Sequence, residues 1–240
     1  MFLGYNCINF YYVIIDAKAL TIVTFAVNIV DMNIIESLKW RYATKKFDVT
    51  KLVSDEKLTI LKEAFTLTAT SYGLQPVKMM VISNKIIQEK LVAHSYNQQQ
   101  VAQASHVLVI CRENTIDEAF IRDCFENEKD IRGTSDDVLD GFRSYLINDF
   151  SYKSDDDIKL WATKQAYIIL GNLLTVCAVE QIDACPMEGF VPEQYDELLD
   201  LKSKGLSSVL VLPIGYRAED DMFSELKKVR KSVANNIIDY

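Results

Sequence analysis

Arg41 and Lys45 stand four residues apart where a short apolar-periodic segment ends, a spacing that puts two cations on one side of a helix to meet one anion jointly. Two solvated surface cations satisfy the same spacing. Lys228 and Arg230 form a second pair near the C-terminus. An ideal strand would send them to opposite sides, but an irregular segment lets them converge, and Arg offers bidentate donors to a phosphate. The third group is backbone. In Asp183-Ala184-Cys185-Pro186-Met187-Glu188-Gly189-Phe190, Pro186 halts regular structure and Gly189 admits a close approach. The N–H groups of Glu188 and Gly189 can therefore face a planar ligand, although a plain connection would use the same residues.

Other chemistries lack their residues. No G-x-S-x-G elbow marks a serine hydrolase, and no G-x-G-x-x-G turn marks a dinucleotide site. The cysteines at 7, 111, 124, 177 and 185 form no C-x-x-C and share no metal-like spacing with His94 or His106, so no metal is expected and both histidines read as structural. Their odd number fits reduced thiols in a cytoplasm better than a disulfide framework. A formal charge of -8 argues against a surface that coats nucleic acid, since phosphate binding needs clustered cations over a wide face.

These groups need elements to hold them. The pattern predicts a short amphipathic helix from Ile34 to Arg41 that ends near Ala43, and a Ser54-capped helix through Thr66. A loop over Thr68 to Gln75 leads into a β-rich run from Lys78 to Ser83, then a helix from Lys85 to Ala93 and a polar helical stretch from Gln98 to Ala104. Val107 to Cys111 and Ser207 to Pro213 read as buried strands. Phe120 to Tyr152 is mixed helical and polar. The acidic run after Ser154 caps a helix from Ile158 to Glu180, apolar over so much of its circumference that it should be buried nearly all round, as a core or subunit-interface helix. Leu226 to Tyr240 reads as a tail. Between Ile8 and Val30 the apolar runs are broken by Asp16, Lys18 and Asn28, too short for the about 20 residues of a membrane span. Met1 to Asn9 lacks the cations of a secretory signal, so no membrane association is expected.

Arg41-Tyr42-Ala43-Thr44-Lys45-Lys46-Phe47-Asp48, the loop ending in Gln75-Pro76, the Pro186-Met187-Glu188-Gly189 turn and Lys228-Val229-Arg230 together resemble the FMN-dependent, oxygen-insensitive NAD(P)H nitroreductase family, from about Met32 to the C-terminus. The resemblance implies an α+β fold, a central β-sheet flanked by helices with a long buried interface helix, and a homodimer with FMN at the subunit interface. It implies two electrons passed from NADH or NADPH to nitroaromatics, quinones or similar small-molecule acceptors in a ping-pong cycle, without a protein nucleophile, because flavin N5 carries the hydride. A dihydropteridine or quinone reductase on the same fold, or a flavin-binding protein of little turnover, is the alternative.

The resemblance also assigns residues. Arg41, Lys228 and Arg230 would hold the FMN phosphate, with Tyr42 and Ala43 beside them, and Lys45 would sit at the pyrimidine edge. Thr70, Ser71, Gly73 and Gln75 would reach the partner's flavin. Asn97 and Gln100 would lie near the ring, and Pro186, Met187, Glu188 and Gly189 along it. Tyr72 and Tyr145 would line the substrate face. Three departures stand out: Ala43 replaces a frequent Ser, Gly73 a frequent Asn, and Gln100 a frequent Lys. The last concentrates electrostatic support for reduced flavin on Lys45. Because family members commonly begin at the position of Met32, residues 1–31 are expected to be an upstream extension to a domain of residues 32–240, with an extra strand or interfacial segment as the alternative.

Overall fold

The computed structural model of the protein describes residues 33–240, so the expectation for residues 1–31 lies outside the described residues. Its elements run α1 (Ile34–Trp40), α2 (Asp55–Leu67), β1 (Val77–Ile82), α3 (Lys85–Ala93), α4 (Gln100–Gln103), β2 (His106–Glu113), α5 (Glu118–Arg132), α6 (Asp136–Ser151), α7 (Asp155–Val179), β3 (Asp183–Ala184), α8 (Pro192–Leu198), β4 (Leu206–Gly215) and α9 (Val233–Asn236). The fold is α+β. Its sheet has the order β1-β2-β4-β3, with every neighbouring pair antiparallel.

The sheet is buried on both faces. Along β2, Val107, Val109 and Cys111 pack into one apolar cluster with Leu91, Val101 and Tyr195, while Leu108 and Ile110 pack into another with Leu61, Ile169 and Leu173. Successive strand residues point to opposite faces, which is why β2 and β4 read as unbroken apolar runs. Side-chain caps set the helix starts: the Ser54 hydroxyl accepts from Lys57 N, Asn84 from Ile86 and Ile87 N, and Ser154 from Asp157 N. The mixed stretch from Phe120 to Tyr152 resolves into α5 and α6, which form a third cluster with Leu74 and Ala162.

Three expectations change. The first helix stops at Trp40 because Ala43 leaves it to pair with Ala184 in a parallel bridge. The stretch from Gln98 to Ala104 is helical only from Gln100 to Gln103, because Tyr96 and Asn97, at φ values of 51° and 59°, are still turning the chain after α3. Finally, α7 is not buried all round in the single chain. Ala162, Ala166, Ile169, Leu173 and Cys177 face the core, whereas Leu160, Tyr167 and Ile168 are 54%, 44% and 49% exposed along one stripe. By length and composition α7 could cross a membrane, yet its core side packs against all four strands of the sheet.

Candidate functional site

A cleft of 470 Å³ opens where three distant segments meet: Lys39 to Lys45, Pro186, and Phe223 to Arg230. Arg41, Tyr42, Ala43, Lys45, Pro186, Lys228 and Arg230 all line it. The geometry behind the first pair differs from the helical expectation. Arg41 and Lys45 lie beyond α1: Ala43 bridges to Ala184, and the chain then bends at Lys45 and Lys46, whose consecutive N–H groups both donate to Asp221, so the two side chains reach the cleft without sharing a helix face.

Buried carboxylates hold this segment from beneath. Asp221, 3% exposed, accepts from the Tyr42 hydroxyl at 2.8 Å and from the backbone of Lys45, Lys46 and Phe223 at 3.0, 3.3 and 3.1 Å. Burial alone would raise its pKa, but the donors, led by Phe223 N–H and the Tyr42 hydroxyl, hold it below the ordinary carboxylate range. Burial and the same hydrogen bond push the Tyr42 phenol well up. Asp183, 4% exposed, accepts from Arg217 N and Nε at 2.8 and 2.9 Å and pairs with its Nη2 at 2.6 Å. The Arg217 guanidinium lies 4.4 Å from the Trp40 ring centroid and 4.6 Å from that of Tyr42. Sequence reasoning gave Asp221 and Arg217 no role. The one local signal was Asp-Asp-Met-Phe, whose aspartate accepts from the backbone two residues on.

The cleft's own cations are paired differently. Among the described residues, Arg41, Lys45, Lys228 and Arg230 have no carboxylate partner within ion-pair distance. Lys228 donates instead to the carbonyls of Leu38, at 2.6 Å, and Arg41, tying the tail to the end of α1. Arg230 donates to its neighbour's carbonyl at 2.6 Å, and Lys45 Nζ reaches Cys185 Sγ at 3.5 Å. Burial and then Arg230 lower the Arg41 pKa; burial, Arg41 and Arg230 lower that of Lys228. Among the described residues this cluster repels itself and holds no internal anion.

The turn supplies neutral donors. Met187 exchanges both backbone hydrogen bonds with Val211 on β4, at 2.8 and 3.1 Å. In a trans peptide C=O and N–H point oppositely, so Glu188 N–H faces away from the sheet. Neither Glu188 N–H nor Gly189 N–H donates to another described group. The Glu188 carboxylate accepts from Tyr167 of α7 at 2.9 Å. Gln100, 4% exposed, sits with its amide 3.9 Å from both Cys185 Sγ and Met187 Sδ. The buried Cys185 thiol is pushed up by burial, against the opposing pull of Lys45.

The remaining predicted residues lie elsewhere on the chain. Asn97 is exposed, at a left-handed position in the turn that follows α3. Thr70, Ser71, Gly73 and Gln75 form a loop pinned to α7 and α2: Ser71 N donates to Gln165 Oε1 and Gln75 Nε2 to the Thr66 carbonyl, each at 2.9 Å. Tyr72, at φ 60°, stacks on Trp161 at 6.1 Å and meets Phe142 edge-on at 6.4 Å; Phe142 stacks on Tyr145 at 6.3 Å. Tyr72 and Tyr145 thus belong to one exposed aromatic ladder, and neither lines the cleft.

Known proteins share this fold. Residues 38–216 match the model of the Nitroreductase family. A provisionally named NAD(P)H nitroreductase of Staphylococcus epidermidis is 33% identical over 215 residues, covering 84% of this chain and 95% of its own. YfkO of Bacillus subtilis, also provisionally named an NAD(P)H nitroreductase, is 32% identical over 199 residues, covering 78% and 90%. Among solved structures, a nitroreductase-like protein of Streptococcus mutans superposes with a TM-score of 0.74 at 22% identity, over 86% of this chain and 97% of its own. A nitroreductase assigned by inference in Exiguobacterium sibiricum, determined in complex with FMN, gives 0.72 at 20% identity, over 87% and 97%. On the family match and on relatives a third identical over nearly their whole length, the chain belongs to the Nitroreductase family and is an oxidoreductase of the nitroreductase type.

Proposed function

We propose that the protein is an FMN-dependent enzyme that passes two electrons from NADH or NADPH to nitroaromatics, quinones or similar planar acceptors, both partners using one cleft in turn. The observation that carries this reading is the convergence of Arg41, Lys45, Lys228 and Arg230, none paired with a described carboxylate, beside a turn with two undonated N–H groups. Those residues fit FMN. Arg41, Lys228 and Arg230 offer charged donors to a phosphate dianion. Lys45 supplies positive charge for a ring system that becomes anionic on two-electron reduction, and the Glu188 and Gly189 N–H groups offer donors to its edge. Bound FMN supplies the electron-carrying chemistry, and the protein holds and polarises it.

Two features support a homodimer. The loop of Thr70 to Gln75 and the Tyr72–Tyr145 ladder lie outside the cleft, so they reach a flavin only if a second copy presents them. The exposed Leu160, Tyr167 and Ile168 stripe of α7 supplies an apolar face for that copy. We take residues 32–240 as the domain and residues 1–31 as an extension whose deletion leaves flavin content intact. Four free thiols among the described cysteines accord with a cytoplasmic setting.

The test is anaerobic mixing of the yellow protein with NADH or NADPH. Bleaching of the flavin bands and their recovery with menadione or a nitroaromatic are expected. A flavin that no nicotinamide nucleotide bleaches would leave a binding protein in place of an enzyme.

A further inference from the structure

Peptide planarity turns three contacts into one aiming device. Gln98 Nε2 donates to the Gly189 carbonyl at 2.8 Å. At the other end of that peptide, Phe190 N–H donates to the Glu188 carbonyl at 2.9 Å. The Glu188 carbonyl and the Gly189 N–H share the next peptide plane and point oppositely. Fixing one carbonyl therefore fixes the direction of a donor two bonds further along. Gln98 is itself oriented, because Gln100 Nε2 donates to its Oε1 at 2.9 Å and Gln100 is buried. A Cβ added at Gly189 would lie 3.1 Å from Gln98 Nε2, so glycine is what admits Gln98 this closely.

We infer that Gln98 is a positioning residue for the cofactor: held by Gln100, it locks the Gly189–Phe190 peptide and through it aims the Gly189 N–H out of the turn. The inference rests on the FMN reading of the cleft. Hydrogen bonds in series polarise one another, so the relay strengthens the outward donor as well as directing it. The positive end of an N–H dipole favours the cofactor state carrying more negative charge. Losing its aim therefore weakens binding of reduced FMN more than that of oxidised FMN.

Gln98→Met keeps the side chain's length and removes its donor. With FMN bound, the reduced form should bind about tenfold less tightly relative to the oxidised form, a midpoint potential ~30 mV lower for a two-electron couple. The Gly189 amide of the FMN-loaded variant should also exchange with solvent faster. A purely structural role would lower the melting temperature and leave both readouts unmoved, and that result overturns the inference. If Gln98→Met fails to retain FMN, Gln100→Leu decides: a smaller shift of the same sign supports the relay, and no shift overturns it. A wild-type protein unable to bind FMN overturns this inference together with the reading beneath it, whereas an unmoved potential in a loaded variant overturns this inference alone.

Discussion

The floor and the mouth of the cleft use charge in opposite ways. On the floor every charge is matched within the chain: Asp183 with Arg217, and Asp221 with four donors from Tyr42, Lys45, Lys46 and Phe223. At the mouth Arg41, Lys45, Lys228 and Arg230 meet no described carboxylate. The contrast is sharpest between neighbours, since Lys46 pairs with Asp220 while the Lys45 amine, among the described residues, reaches only the Cys185 sulfur. Charges that hold the fold are satisfied by the fold, and the unmatched charges are the ones the proposed phosphate site would use.

Substitutions in the two regions should therefore separate stability from binding. The largest effect is expected from Asp183→Ala, which strands the Arg217 charge in a partly buried place. Removing one partner of a buried pair costs about 3–5 kcal/mol; Arg217 retains some solvent, so the lower end is expected in denaturant unfolding of the FMN-free protein. Arg230→Ala should reverse the pattern. On the proposed reading it removes a charged hydrogen bond to phosphate, weakening FMN binding by roughly 1.5–3 kcal/mol, while the unfolding midpoint of the FMN-free protein stays put. If Arg230→Ala instead unfolds the protein, the mouth is structural and the comparison fails.

Lys45→Ala sharpens the comparison within the mouth. On the proposed reading the charge that Lys45 faces grows on reduction, so the flavin midpoint potential should fall, by ~30 mV for each 1.4 kcal/mol of lost preference. Equal potentials in variant and wild type, both saturated with FMN, would make Lys45 a bystander. The smallest effect concerns pH. The folded pKa of Asp221 is held below its unfolded value of about 4. Its stabilisation is thus complete above that pH and is lost as pH falls through the folded value. Asp221→Asn should lower stability evenly above about pH 5 and flatten the acid limb of the stability curve; an unchanged acid limb would show that the carboxylate does not tie the segment down.

Much of this was legible in sequence where the signal is local. The apolar length of α7 and the unbroken runs of β2 and β4 announce burial directly. The two residues of β3 carry no periodicity, and α1 stops early because Ala43 finds Ala184, a partner remote in sequence. Arg41 and Lys45 line one cleft as their spacing promised, but from a bent connection after α1 instead of a helix, because Asp221, remote in sequence, holds that bend. Spacing could not decide whether Lys228 and Arg230 converge; the tail's anchoring to the carbonyls of Leu38 and Arg41 decides it. Asp221 and Gln98 escaped notice because they act on partners far along the chain. Tyr72 and Tyr145 join one aromatic ladder only through Phe142, which no spacing singled out.

The claim that unmatched cations mark a phosphate site is tested most directly by titrating the flavin-free protein with FMN and with riboflavin, which differ only in that phosphate. Two or more charged hydrogen bonds at roughly 1.5–3 kcal/mol each predict that FMN binds at least about 100-fold more tightly, an advantage that shrinks in Arg230→Ala and at high salt. Equal affinities for the two flavins, or binding of neither, would contradict the account.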